Sequence, residues 1–281
     1  YEDVKTPKQV ILENCKASIH LEDISALKED QLDYMNRFLL EDRKKGFNLS
    51  EEILIRLSVL KLNNEEYKVI WSSHHILMDG WCGNIIMNDL FAFYASLRNQ
   101  QHIDIKEPAH YGDYIKWLQK QPKNKAEHYW EHYLKGYGNH AQLPSSSREE
   151  GLDFKKERLT FTIDKRMTES LMNISKQAKV TINTVIQTVW GILLQKYTNM
   201  EDVVFGSVVS GRNAKVEGIE EMIGLFINTV PVRVKSSSES KFIDLVKEIQ
   251  KDSLESSKYD YYPLAEIQSL SEVKQQLINH I

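Results

Sequence analysis

Hydrophobic and polar residues in the N-terminal part of the chain alternate in a way that is typical of two strands joined by a turn. Apolar side chains recur at alternate positions in residues 55–62, two asparagines follow as turn residues, and residues 67–71 resume the strand-like pattern. Residues 54–71 are therefore predicted to form a β-hairpin. Residues 81–98 then carry apolar side chains every three or four positions, which predicts a helix. The segment between hairpin and helix is predicted to be a strand-to-helix loop.

The rest of the chain mixes helical and strand-like patterns on both sides of a polar segment. Residues 139–156 follow the glycines of Gly136-Tyr137-Gly138 and contain Pro144-Ser145-Ser146-Ser147 and many charged side chains, which is typical of a linker. Further helices are predicted over residues 126–134, 165–178 and 181–197 and from Phe242 onward, and strands over 9–13, 158–163, 203–209 and 226–234. Pro231 marks the last strand as an edge strand or a bulge. The pattern predicts two lobes of mixed α and β structure, residues 1–138 and 157–281.

Composition narrows the class of protein. The chain has 281 residues, of which 41% are hydrophobic and 27% charged, the balance of a soluble globular protein. A net charge of −4 gives no basic surface for nucleic acid or membranes, and no apolar run approaches the roughly 20 residues that span a bilayer. The N-terminus lacks the pattern of a signal peptide. With Cys15 and Cys82 as its two cysteines, the chain is expected in the reducing cytoplasm.

Both ends of the sequence break off within structured-looking patterns. Tyr1 opens a polar stretch that leads directly into a strand-like run, and the last residues still alternate between apolar and polar. We therefore expect the sequence to be a piece of a longer polypeptide.

The segment His74-His75-Ile76-Leu77-Met78-Asp79-Gly80 holds the most telling chemistry. Histidine can both take and give a proton near neutral pH, and an Asp-Gly pair at a helix start predicts a tight loop with a fixed charge. Adjacent histidines in extended chain point in opposite directions, so one can face a channel while the other is buried. This combination suits acyl transfer, although two purely structural histidines remain the alternative.

A metal site is the competing interpretation of the same residues, with His75 and Asp79 as ligands. Two ligands are fewer than zinc requires. Other histidines that could complete a site are His102, His110, His128, His132 and His140. The pair on the helix around residue 130 lacks the HExxH order, so no metal is predicted.

Asp79 could act in acid–base chemistry or anchor the loop, and an arginine often neutralises such a carboxylate. Arg212, in the Ser-Gly-Arg that follows a buried strand, could reach inward for this purpose or simply be solvated. Cys82 could pair with a histidine as a nucleophile, but a small buried thiol fits the local sequence better.

Three further segments contain unusual side chains. The aromatic clusters 111–117 and 259–263 indicate packing or the wall of a groove. Asn228 and Thr229 interrupt an apolar strand, so these polar side chains must find partners in a structural network or line a site.

Together these motifs resemble the condensation domains of nonribosomal peptide synthetases. Residues 74–80 match the HHxxxDG motif of that family, and Trp81 fits its usual next residue. Residues 111–117 resemble its YxDxxxW motif, residues 223–234 its GxFxNTxxxR block, and residues 259–263 its aromatic DYP block. The family's first two motifs and its last one have no counterpart here.

The resemblance implies a fold of two chloramphenicol-acetyltransferase-like lobes in a V, with the active site in the tunnel between them. The implied reaction is attack by an acceptor aminoacyl-thioester amine on a donor aminoacyl or peptidyl thioester, which forms a peptide bond. His75 is expected at the reacting amine, and the Gly80 N–H is expected to bind the oxyanion or orient the acceptor. The residues expected in supporting roles are His74, Asp79 and Arg212 as structural groups, with Asp79 paired to Arg212, and Trp81, Asn228 and Tyr262 in the tunnel or bridging segments.

The same resemblance implies the partners. Donor and acceptor peptidyl carrier proteins would deliver the substrates on phosphopantetheine arms, with no cofactor bound by this domain, and an adenylation domain would adjoin it in one cytoplasmic polypeptide. Three alternatives stay open: an epimerisation domain with the same motif, a catalytically silent fragment that binds carrier proteins, and a free-standing acyltransferase. The Phe-Ile-Asn-Thr of residues 226–229 favours condensation over epimerisation.

Overall fold

A computed structural model describes residues 19–27, 29–103, 107–139, 141–143 and 158–281. The chain forms two compact units: residues 1–108 with the short segment 221–225 (unit 1), and residues 109–220 with 226–281 (unit 2). The strand predicted over residues 9–13 and most of the predicted linker lie outside the described residues. The unit boundary falls at residue 108, ahead of the predicted lobe limits of 1–138 and 157–281, which therefore stay a prediction.

The described residues of unit 1 form a three-stranded sheet and two helices. Its elements are β1 (Ile19–Asp23), α1 (Gln31–Lys45), β2 (Ile55–Lys61), β3 (Tyr67–Ser73) and α2 (Gly80–Asn99). β1 pairs with β2 in parallel, as the crossover through α1 allows, and β2 pairs with β3 antiparallel. The predicted hairpin is thus confirmed, and its turn is stabilised by the Asn63 side chain, which accepts from the backbone N–H groups of Glu65 and Glu66.

The described residues of unit 2 form six helices and a two-stranded sheet. Its elements are α3 (Tyr111–Gln119), α4 (Lys123–Leu134), α5 (Lys165–Ala178), α6 (Ile182–Thr198), β4 (Asp202–Val209), β5 (Asn228–Lys235), α7 (Phe242–Ser256) and α8 (Leu264–Leu270), followed by a 3-10 turn at Lys274–Gln276. β4 and β5 are antiparallel, with Pro231 opposite Gly206. Among the described strands, β5 pairs with β4 alone, so Pro231 lies in an edge strand there, as predicted. A Cβ at Gly191 of α6 would lie 2.4 Å from Val234, so glycine lets this helix lie close to β5.

The core of unit 2 is built from apolar positions on facing elements. Trp130 and Leu134 of α4 pack with Val204, Val230 and Ile267, while a second cluster joins α6, the sheet and α7. Burial of such side chains is the main favourable contribution to folding. The mixed α/β fold class predicted from the sequence is confirmed.

The prediction of a strand over residues 158–163 is wrong. These residues have no regular secondary structure, and Leu159 and Phe161 are 90% and 76% exposed. Alternation produces a strand where a neighbouring strand accepts its backbone hydrogen bonds, and the described residues provide no such neighbour here.

Within the described part of the chain, no helix is long and apolar enough to cross a bilayer.

Candidate active site

The HHxxxDG segment forms the loop between β3 and α2 in unit 1. Its upstream end is held where the His74 N–H donates to the carbonyl of Leu54, with N and O 3.0 Å apart. The Leu77 N–H donates to the His74 carbonyl at 3.1 Å, which makes the loop a tight turn. The predicted position of the motif, at the end of a strand and the start of a helix, is confirmed.

The two histidines differ in their surroundings. His74 is half-buried: its Nδ1 accepts from the Ile76 N–H at 3.1 Å, and its ring meets the edge of Phe47 with centroids 6.3 Å apart. His75 is exposed and forms no hydrogen bond within the described part of the chain. One imidazole therefore supports the loop, while its neighbour is available to an incoming group.

Asp79 is buried, with 4% of its surface exposed, and it caps α2. Its Oδ1 accepts from the Trp81 N–H at 3.2 Å, which satisfies one of the N–H groups that a helix start leaves without intrahelical partners. Trp81 itself is half exposed. The capping interaction fixes where the helix begins and places Gly80 in its first position.

The Gly80 N–H has no hydrogen-bond acceptor among the described residues. It lies at the N-terminus of a 20-residue helix, where the aligned peptide dipoles favour negative charge. A Cβ at this residue would meet nothing within 4 Å, so space is open beside the amide. The position is chemically suited to bind an oxyanion.

Residues 221–225 complete the loop's surroundings in unit 1. The Asp79 N–H donates to the Gly224 carbonyl at 3.3 Å. Cys82, fully buried and not in a disulfide, places its Sγ 3.3 Å from the same carbonyl oxygen and 3.4 Å from the Gly224 nitrogen. The expectation of a buried thiol is confirmed, and its contacts connect the helix start to a segment far away in sequence.

The remaining predicted site residues belong to unit 2. Arg212 is buried, its Nη1 donates to the Ile219 carbonyl, and its guanidinium lies 4.0 Å from the centroid of the Phe226 ring. The preceding Gly211 has φ +67°, and a Cβ there would lie 2.0 Å from the Phe226 oxygen, so only glycine fits this turn. The turn after β4 thus directs a buried cation into the protein, as the sequence suggested.

Asn228 and Tyr262 belong to one local network. The Asn228 amide donates to the carbonyls of Asp260 and Tyr262 at 2.8 and 2.7 Å, which joins the start of β5 to the aromatic segment. The Tyr262 ring is 6% exposed and packs in the core of unit 2. The neighbouring Asp260 carboxylate accepts from Asn213 at 2.8 Å, and burial raises the pKa of that carboxyl.

The YxDxxxW segment forms α3 and packs against the two other aromatic motifs of unit 2. The rings of Tyr111 and Tyr114 lie 5.2 and 4.6 Å from the Phe226 ring, and Trp117 meets Tyr261 edge-on at 5.8 Å. Three motifs that are far apart in sequence therefore form one aromatic cluster. Burial raises the pKa of Tyr114 to about 12, so this phenol stays neutral.

No group of three or more metal-ligating side chains comes together within the described ranges. His128 and His132, the pair weighed from the sequence, are both exposed on α4. The expectation that no metal is bound stays a prediction.

A family model described as "Condensation domain" matches residues 1–281 of the chain. The chain belongs to the condensation-domain family of nonribosomal peptide synthetases. The resemblance seen in the sequence motifs is thereby confirmed. Bacitracin synthase 3 of Bacillus licheniformis is 44% identical over 283 residues, which cover 100% of this chain and 4% of that protein. Gramicidin S synthase 2 of Brevibacillus brevis is 41% identical over 283 residues, covering 100% of this chain and 6% of that protein.

Solved structures share the fold of this condensation domain. The starter condensation domain of rhizomide synthetase superposes with a TM-score of 0.73 at 18% identity, over 94% of this chain and 60% of that one. The first condensation domain of the calcium-dependent antibiotic synthetase gives a TM-score of 0.68 at 17% identity, over 92% and 60%. At these identities the likeness concerns the fold, while the sequence relatives carry the family assignment.

Two features of the structure were not predicted from the sequence. Gly224 lies in the GxFxNTxxxR block, but nothing local in the sequence relates it to Cys82 or Asp79. Arg233, the arginine of the same block, forms a structural ion pair with Asp202 in unit 2, with a 2.6 Å contact. The position of Arg233 in the GxFxNTxxxR block is the sequence feature that could have singled out this residue.

Proposed function

We propose that this chain catalyses peptide-bond formation between two carrier-bound thioesters. The α-amine nitrogen of the acceptor attacks the donor's thioester carbonyl carbon, a C–N bond forms and the C–S bond breaks. The amine loses one proton and the departing thiolate gains one, so the reaction needs no oxidant or reductant. The observation that carries the proposal is His75, an exposed imidazole on a loop whose neighbouring residues are held by backbone contacts.

His75 is the residue proposed at the reacting amine. An imidazole can accept the proton that the amine loses during attack and return it to the leaving sulfur. Its neighbour His74 cannot take this role in the same way, because its Nδ1 already accepts from the Ile76 N–H. His75 either transfers the proton or holds the amine in line with the carbonyl carbon, and both roles act on the same nitrogen.

Gly80 is the proposed second contributor. Negative charge develops on the donor's carbonyl oxygen during attack, and an N–H group at a helix start can stabilise that charge without reorganising. The open space beside Gly80 leaves room for a substrate group to approach the amide. The same N–H could instead orient the acceptor's carbonyl, which would also lower the barrier.

The other site residues are proposed to support this chemistry. His74 and Asp79 hold the loop, Asp79 pairs with Arg212 across the two lobes, and Trp81 and Asn228 line the tunnel. Tyr262 serves the bridging segment through its backbone carbonyl, which Asn228 contacts.

The assembly around the chain is proposed on the family resemblance. Two chloramphenicol-acetyltransferase-like lobes form a V with the active loop in the tunnel between them. Donor and acceptor carrier proteins bring the substrates on phosphopantetheine arms, and an adenylation domain lies in the same cytoplasmic polypeptide. The domain binds no cofactor of its own, because proton transfer and oxyanion binding suffice for aminolysis of a thioester.

The reaction class is tested with the full-length protein in deuterated water. Its carrier domains are loaded with the amino acids that its adenylation domains accept, and the thioesters are followed by mass spectrometry. A dipeptidyl thioester on the acceptor carrier, without deuterium at the acceptor's α-carbon, supports condensation. Deuterium at the α-carbon of a loaded aminoacyl thioester, without dipeptide, would instead indicate epimerisation. Neither product would indicate a silent carrier-binding domain.

A further inference from the structure

Cys82 makes a set of contacts that condensation chemistry does not use directly. The residue lies in the first turn of α2 and is fully buried. Its Sγ is 3.3 Å from the Gly224 carbonyl oxygen, 3.5 Å from Asp79 Oδ1 and 3.9 Å from the Met222 carbonyl oxygen. The Gly224 N–H points back at the sulfur, with a nitrogen–sulfur distance of 3.4 Å.

This geometry lets the thiol act as donor and acceptor together. The S–H group has one proton, which it can donate to Gly224 or to Asp79 at any moment, while the sulfur accepts from the Gly224 N–H. The Cys82 side chain can therefore hydrogen-bond to both polar groups of the Gly224 backbone, its N–H and its carbonyl. For a buried backbone N–H, losing its acceptor carries a desolvation cost.

The contacts converge on the downstream end of the active loop. The Asp79 N–H donates to the Gly224 carbonyl at 3.3 Å, so Asp79 and Cys82 are both tied to one residue. Asp79 in turn caps α2 and sets the position of the Gly80 N–H. Since the His74 N–H is held by Leu54 at the upstream end, His75 lies between two fixed points.

We propose that Cys82 is a positioning residue for peptide-bond formation. By clamping Gly224, the thiol fixes the start of α2 and with it the Gly80 amide and the turn that presents His75. Full burial keeps Cys82 away from the substrates, so its effect passes through these neighbours. The inference rests on the proposed function, because positioning is measured through the reaction that those residues carry out.

The test compares Cys82→Ala with Cys82→Ser in the full-length protein. The two replacements have nearly the same volume, but only serine restores a donor and an acceptor toward Gly224. For Cys82→Ala we expect kcat for dipeptide formation to fall about tenfold with KM for the acceptor carrier unchanged, because small misplacements of catalytic groups are costly. Cys82→Ser is expected to keep kcat within about threefold of the wild type. Equal kcat values for the two variants would overturn the proposal.

A second measurement does not depend on turnover. Amide hydrogen exchange of peptides covering residues 222–226 is expected to be slow in the wild type and in Cys82→Ser, and about tenfold faster in Cys82→Ala. Fast exchange of the Gly224 amide in the wild type would overturn the clamp even if Cys82→Ala failed to fold. A wild type that forms no dipeptide would instead count against the proposed function, while this exchange result would still decide whether the clamp exists.

Discussion

At the residue scale, two adjacent histidines have different surroundings because extended backbone turns successive side chains to opposite sides. His74 bonds to the loop's own backbone and His75 faces outward. This division could be predicted from the sequence, as could a fixed charge in the tight loop before the helix. The contact between Cys82 and Gly224 could not, because hydrophobic periodicity carries no information about which distant segment covers a buried thiol.

Gly80 permits a test of the amide's role. Gly80→Ala is expected to slow dipeptide formation about tenfold, because a methyl group would occupy the open space beside the N–H. The fold should tolerate the change, since no heavy atom lies within 4 Å of the new Cβ and alanine favours helices. Single-turnover rates and melting temperature are the measurements.

Gly83→Ala is the matched control for that experiment. Gly83 lies one turn further along the same helix, and its Cβ would also meet nothing within 4 Å. It should leave the rate unchanged. Equal rates for wild type and both variants would remove the Gly80 amide from the mechanism.

At the element scale, the sequence predicted what is local and missed what depends on partners. The β2–β3 hairpin and helices α2, α5 and α6 follow from turn residues and apolar spacing, and they lie within a residue or two of their predicted limits. Residues 158–163 show the same alternation as a strand but find no neighbour in the described chain. Residues 221–225 continue into β5 in sequence, yet they pack in unit 1, which no local pattern indicates.

The ion pair between β4 and β5 yields a stability prediction. Arg233 donates to both carboxylate oxygens of Asp202, at 2.9 and 2.6 Å, and to the Tyr133 and Lys135 carbonyls at the end of α4. Arg233→Lys keeps the charge but loses the planar guanidinium fork, whose two N–H groups bind both oxygens of Asp202. The free energy of opening of β5 should therefore fall by about 2 kcal/mol. Hydrogen exchange of the β5 amides measures this quantity.

The exposed pair formed by Lys258 and Glu255 serves as the comparison for Arg233. Its nitrogen and oxygen are 2.8 Å apart, but both side chains are at least half exposed. Lys258→Met should change the free energy of opening of β5 by less than about 0.5 kcal/mol. A loss for Arg233→Lys no larger than this would show that the buried fork contributes little to stability.

At the scale of the whole molecule, family and reaction class could be recognised because the motifs keep their order along nearly the entire chain. The compact units could not be delimited in the same way. Composition suggests a boundary where the chain is polar, whereas compactness is decided by which helices bury their apolar faces together. Helix α4 illustrates the difference: Trp130 and Leu134 pack with β4 and β5, so α4 belongs to unit 2 although it precedes the polar segment.

The exposed imidazole of the HHxxxDG loop is the group proposed to drive peptide-bond formation. Its most direct test is the single-turnover rate of dipeptide formation by the full-length protein with His75→Ala. His132→Ala is the matched control, because His132 is an exposed histidine on α4 in unit 2. We predict that His75→Ala slows the reaction about a hundredfold or more, the usual contribution of a general base, while the control keeps the wild-type rate. Equal rates for all three proteins would show that His75 takes no part in the reaction.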